Sequence, residues 1–237
     1  MDIKKLLDET LDSMYLIDQN DIPNIDLYMD QVTTFMENHL KSRKRNEEDK
    51  ILTKTMINNY AKNNLLPSPE KKRYSKEHVL LLTLIYYYKS VLSINDIKKL
   101  LAPITDTYFQ NPKGKDMSYI YDELLSFQND ILNSSKQDML KKLELSKNTF
   151  EDASKKDSDY LQLYAFVSLL SFDVYLKKQM IEAIVDSLED PISKEEKERI
   201  AKKLREEKEK AAKKAAADKK AAADKKAAAD KLKNNEK

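Results

Sequence analysis

Apolar residues recur at three- and four-residue spacing along most of the chain, which is the period of a helix face and not of a strand. Ile3, Leu6, Leu7, Leu11, Met14 and Tyr15 form the first such stripe and predict a helix from Met1 to Leu16, broken by Asn20-Asp21-Ile22-Pro23. Ile25, Tyr28, Met29, Val32, Phe35 and Met36 predict a second over about 24–40, followed by a charged loop from Lys41 to Lys50. A third spans 51–66, with Thr53 as a hydroxyl N-cap and Pro67 as its stop, because proline disfavours helix in the residue before it. Ser75 caps a strongly apolar helix over 76–91, and Ser93 caps another that ends near Pro103.

Two long stripes, 117–145 and 157–189, predict an antiparallel helical hairpin. The second carries an aromatic stripe, Tyr160–Tyr175 with Phe166 and Phe172, which would either line a pocket between helices or pack within the hairpin. A capping box at Ser193-Lys194-Glu195-Glu196 opens a last helix. It runs into Ala-Ala-Ala-Asp-Lys-Lys repeats from Ala215 to Lys231, has almost nothing to bury, and is expected to be a solvated rod.

Composition narrows the fold further. A single glycine, Gly114, excludes the glycine-rich phosphate loops and tight hairpins that nucleotide-binding and sheet-rich folds need. With no cysteine there is no disulfide and no thiolate metal site, which fits a reducing cytoplasm. No window is apolar enough for a signal sequence or an unaided membrane span, so a soluble chain with no membrane partner is expected. His39 and His78 lack a second histidine at helical spacing and an obvious carboxylate orienter. The sequence therefore singles out no catalytic set, metal site or cofactor, and the expectation is that the protein is not an enzyme.

Charge is unevenly spread although the net is only +2. Residues 1–37 carry nine acidic and two basic side chains, residues 38–76 eleven basic and four acidic, and residues 194–237 seventeen basic and ten acidic. Two basic blocks separated by neutral-to-acidic sequence suggest localised attraction to a polyanion, with ordinary solvated lysines as the alternative reading.

The stretch from Thr53 to Leu101 concentrates the functional signal. On the helix over 54–65, Met56, Ile57, Tyr60 and Ala61 face inward, while Lys54, Thr55, Asn58, Asn59, Lys62 and Asn63 face outward. The outward face has no carboxylate. Asparagine can bond an adenine edge with two hydrogen bonds, and lysine and threonine can reach guanine or phosphate, so such a face can enter a major groove without repulsion. A solvated helix surface would carry the same residue types, and that alternative stays open. Lys71, Lys72 and Arg73 in the following basic turn, with Arg43 and Arg45 in the charged loop, are expected to meet phosphate oxygens.

Met56-Ile57-Asn58-Asn59-Tyr60, Asn64-Leu65-Leu66-Pro67, Arg73-Tyr74-Ser75 and Leu92-Ser93-Ile94-Asn95-Asp96-Ile97 stand in the order seen in MerR-type winged-helix regulators. Asn64 takes the place of that family's glycine, as asparagine tolerates the left-handed conformation. Residues 22–101 also resemble a family of unknown function from low-GC Gram-positive bacteria with a MerR-like core. The resemblance implies binding to double-stranded DNA and homodimerisation, and specifies no effector.

The expected fold is all-α: a MerR-like winged helix-turn-helix domain, a helical hairpin domain and a long solvated C-terminal helix. Its segments are an N-terminal helix at 1–21, the helix-turn-helix domain at 22–103, an all-helical dimerisation or effector domain at 104–192, and the charged Ala/Lys-rich tail at 193–237. The expected function is a cytoplasmic DNA-binding transcriptional regulator reading the major groove with helix 54–65. The competing expectation is a helical adaptor or scaffold with no nucleic acid partner, for which the acidic first 37 residues and the charged tail would be partner surfaces.

Overall fold

Side-chain caps open most of the helices. A computed structural model describes residues 2–112 and 114–189, together with Arg199 and Lys202. In it Asp2 caps α1 (Ile3–Asp12), Thr53 caps α3 (Lys54–Lys62), Ser93 caps α5 (Ile94–Tyr108), Asp116 caps α6 (Met117–Ser126) and Ser154 caps α8 (Lys155–Ser187). The remaining helices are α2 (Met29–Leu40), α4 (Lys76–Tyr88) and α7 (Gln128–Lys147).

The fold is mostly helical, with one departure from the all-α expectation. Leu27–Tyr28 (β1) and Arg73–Tyr74 (β2) pair antiparallel, with Leu27 opposite Tyr74 and Tyr28 opposite Arg73. Strands of two residues leave no alternation for a sequence pattern to reveal. Other boundaries shift too. α2 starts only at Met29 because the residues before it form β1, and the stripe over 117–145 divides into α6 and α7 at Phe127. α5 runs through Pro103 to Tyr108, since Leu101 is buried and Leu100, Ile104 and Tyr108 pack against the core on either side of the proline.

The main core is built around α4, whose residues His78 to Ile85 are all buried. A helix that is apolar all round needs neighbours on every side. They come from α2 (Val32, Met36, Leu40), α3 (Ile57, Tyr60), α5 (Ile97, Leu101) and α6 (Met117, Tyr121), all members of one buried cluster. The Tyr121 hydroxyl donates to the Ile17 carbonyl at 2.7 Å and ties down the segment before β1.

A second layer consists of α1, α7 and α8, where Leu7, Leu143 and Phe166 are buried. Ion pairs join α1 to α7 (Asp8 with Lys136 at 2.7 Å, Lys4 with Glu144 at 4.0 Å), and Lys142 of α7 reaches Asp173 of α8 at 3.2 Å. The two α1–α7 pairs are exposed and contribute at most about 1 kcal/mol each, whereas the Lys142–Asp173 pair is half-buried. At its far end α8 returns to the main core through Val185, and Lys99 of α5 donates to the Asp186 carbonyl at 3.3 Å. Residues 1–189 form one compact unit and 190–237 a second. The capping box at Ser193 and the repeats from Ala215 to Lys231 lie outside the described residues.

Candidate nucleic-acid interface

α3 is a short, firmly seated helix. The Thr53 hydroxyl accepts the Met56 amide at 3.1 Å, and Ile57 and Tyr60 are inserted in the core. Ile51 and Leu52, expected within the helix, are instead buried anchors ahead of its cap. At the other end Asn64 adopts φ 56°, and the amides of Leu65 and Leu66 both donate to the Tyr60 carbonyl, at 2.9 and 3.2 Å. This is a left-handed helix stop with asparagine in the position glycine usually takes. The stop sets α3's orientation, because Leu65 and Leu66 are buried immediately beyond it.

With Ile57 and Tyr60 fixed inward, Lys54, Thr55, Asn58, Asn59, Lys62 and Asn63 are all exposed. The face is not isolated from acid, however. Asp30, in the first turn of α2, is paired with the Lys54 ammonium, and Asp26 is exposed just ahead of α2. A stripe free of carboxylate in sequence thus has a carboxylate at its N-terminal edge, contributed by a helix that sequence spacing could not place there.

The basic turn is a two-residue hairpin. The Arg73 amide donates to the Glu70 carbonyl at 2.8 Å, and Lys71 (φ 49°) and Lys72 (φ 64°) both occupy the left-handed region. Positive φ at both central residues defines the type I′ turn, which favours Asn-Gly. Lysine there is strained by about 1–2 kcal/mol per residue. Lys71, Lys72 and Arg73 are exposed, and Tyr74 is buried. β2 and α3 both pack on α2, so the turn and the exposed face of α3 share one support.

His78 locks the turn to α4. Its Nδ1 accepts the Ser75 amide at 3.0 Å, and its ring meets the edges of Tyr74 and Phe109 at centroid distances of 5.5 and 4.8 Å. Burial depresses its pKa to about 4, against the pull of Asp26 and of the Pro67 and Ser68 backbone, which favour the proton. The imidazole is neutral, with its proton on Nε2.

The charged loop behaves differently from expectation. Arg43 is turned inward: its guanidinium donates to the Tyr87 hydroxyl and the Tyr15 carbonyl and lies 4.8 Å from the Tyr87 ring centroid. Its charge is spent tying the loop to α4 and to the segment after α1. Lys44 pairs with Glu37, and the Arg45 and Asn46 amides donate to the Asp49 carboxylate. The Arg45 side chain is exposed. Sequence reasoning missed this clasp because Tyr15 and Tyr87 are far from Arg43 along the chain.

Residues 17–124 match the family described as Domain of unknown function (DUF1836). The match begins at buried Ile17 and ends within α6. It therefore takes in β1, α2, the charged loop, α3, the basic turn, α4 and α5, and leaves the whole α1–α7–α8 layer outside. No curated protein and no solved structure matches the chain. Among the described residues, no cluster of histidine, aspartate and glutamate could hold a metal ion, and no helix is long and apolar enough to cross a membrane.

Proposed function

We propose that this chain is a DNA-binding transcriptional regulator in which the DUF1836 region forms a MerR-like winged helix-turn-helix and α3 reads the major groove. One observation carries the reading: Lys54, Thr55, Asn58, Asn59, Lys62 and Asn63 are exposed together on a helix whose opposite side is fixed in the core. Asn58 and Asn59 supply paired donors and acceptors suited to adenine, and the ammonium groups supply attraction. Lys71, Lys72 and Arg73 stand at the tip and edge of the two-residue hairpin, which takes the part of the wing and contacts phosphates. Arg45 has the same role from the loop. Arg43 is reassigned to holding that loop in place.

Titrating the full chain against genomic duplex fragments at two salt concentrations tests the proposal. A regulator retains a few fragments as salt rises, since base contacts survive when counterion release no longer favours binding. Asn58→Ala and Asn59→Ala should each cost about 1–3 kcal/mol at particular base pairs, whereas Lys71→Ala or Lys72→Ala should weaken all duplexes alike. Identical behaviour of the two kinds of variant would remove direct readout by α3. A second reading, an adaptor with no nucleic acid partner, draws on the exposed apolar side chains of α8. It requires that no fragment survive the higher salt.

A further inference from the structure

The exposed face of α3 has a neighbour of opposite character at one end. Lys54, its first residue, is paired with Asp30, the second residue of α2, and the two side chains keep most of their exposure, 61% and 75%. An acidic residue in a first turn complements the helix dipole whichever way it points. Asp30 reaches across to α3, and an ion pair this exposed adds little to stability. On a surface that meets a duplex, a carboxylate is unfavourable unless the duplex offers it a partner.

Duplex chemistry offers few partners. Phosphates repel a carboxylate, and the base edges in the major groove present only two kinds of hydrogen-bond donor, cytosine N4 and adenine N6. Lys54 decides between them, because its ammonium touches the carboxylate and needs acceptors directly beside that donor. On a G·C pair, guanine N7 and O6 stand together next to cytosine N4, so both acceptors go to the lysine and the donor goes to the aspartate. On an A·T pair, adenine N6 lies between adenine N7 and thymine O4, and one ammonium beside the aspartate takes only one of the two acceptors. The G·C pair is the fuller match.

We propose, on the reading of α3 as a recognition helix, that Asp30 and Lys54 together read one G·C pair, with cytosine on the Asp30 side. The N-terminal residues of a recognition helix are the ones that reach base edges, and Lys54 is the first residue of α3. Asn58 stands one turn along the same face. At 1.5 Å per residue it is about 6 Å away, and with base pairs about 3.4 Å apart the G·C pair falls about two steps from the adenine that Asn58 meets. Reversing the pair sets the carboxylate against guanine O6, two acceptors with no proton between them. The discrimination is thus carried by rejection as well as by attraction. Asp30 lies on α2, outside the helix whose stripe carries the adenine contacts, so it adds a base preference that the stripe itself lacks.

Selection of the full chain on a randomised duplex library tests the assignment. The parent chain should enrich A·T positions with a G·C pair of fixed orientation about two steps away. Asp30→Ala should leave the A·T positions as they are and lose the G·C preference by about tenfold or more. It should also bind the other duplexes more tightly, because a repelling charge has gone. Asp30→Asn keeps the shape of the side chain and should move the same position toward A·T, since asparagine suits adenine. A uniform gain in affinity with the G·C preference intact overturns the inference, as does an enriched set without a fixed G·C pair. Either result leaves the reading of α3 standing, because the A·T positions and their loss in Asn58→Ala report on that reading alone. A parent chain that enriches no duplex ends both.

Discussion

His78 is the residue whose placement has the most direct consequence for stability. In the unfolded chain it titrates near 6.5, and in the folded protein burial holds it at about 4. The folded pKa is depressed, so between these values the unfolded state binds the proton and the folded state does not. Stability is therefore full above about pH 6.5 and falls with pH down to about 4. Urea unfolding at pH 7 and pH 5 should differ by about 2 kcal/mol through this group, with the lower stability at pH 5. His78→Gln should flatten that dependence at some cost in stability at neutral pH. Burial raises the Glu77 pKa, which acts in the opposite direction near the acid end of the window. A wild-type difference unaltered by the glutamine variant would mean that His78 does not carry the effect. The same histidine offered sequence reasoning only negative information, because Tyr74, Phe109 and the Ser75 amide become its neighbours through the fold.

Among the elements, the hairpin at Lys71 and Lys72 has the clearest conflict between local preference and observed conformation. Replacing the pair with Asn-Gly should stabilise the chain by about 1–2 kcal/mol, as those residues adopt the I′ turn with little strain. It should also weaken binding to every duplex, because two ammonium groups leave the tip of the turn. Thermal unfolding and a duplex titration of one variant check both halves. A stabilised variant with undiminished binding would separate the strained lysines from nucleic acid contact. Much of the helical framework was legible because caps and apolar stripes are local: Thr53, Ser75 and Ser93 all open helices as their positions predict. The left-handed Asn64 was legible for the same reason. The β1–β2 pairing, the continuation of α5 past Pro103, the inward turn of Arg43 and the Asp30–Lys54 pair were not, since each depends on residues distant in sequence or on packing that overrides a local signal.

At the scale of the whole molecule, the distribution of charge decides how generic attraction and base readout divide between the two units. Residues 190–237 carry seventeen basic and eleven acidic side chains, a net of +6, so residues 1–189 hold a net of −4 within the chain's +2. The unit that bears α3 is thus acidic overall, and within it residues 38–76, around the loop, α3 and the hairpin turn, stand out with a net of +7. On the proposed function, long-range attraction to a duplex would come largely from the tail and discrimination between duplexes from α3. A chain ending at Glu189 should accordingly lose affinity for random-sequence duplex, with a shallower dependence on salt, because each phosphate contact removed lowers the slope by about 0.9. Its preference for a selected fragment over random duplex should stay the same or rise, since the base contacts are untouched and the competing background is weaker. Anisotropy titrations of both chains on both duplexes over a salt series measure the two quantities separately. Loss of the preference together with the affinity would place the discriminating contacts in the tail, and the exposed amide and ammonium groups of α3 would then be an ordinary solvated surface.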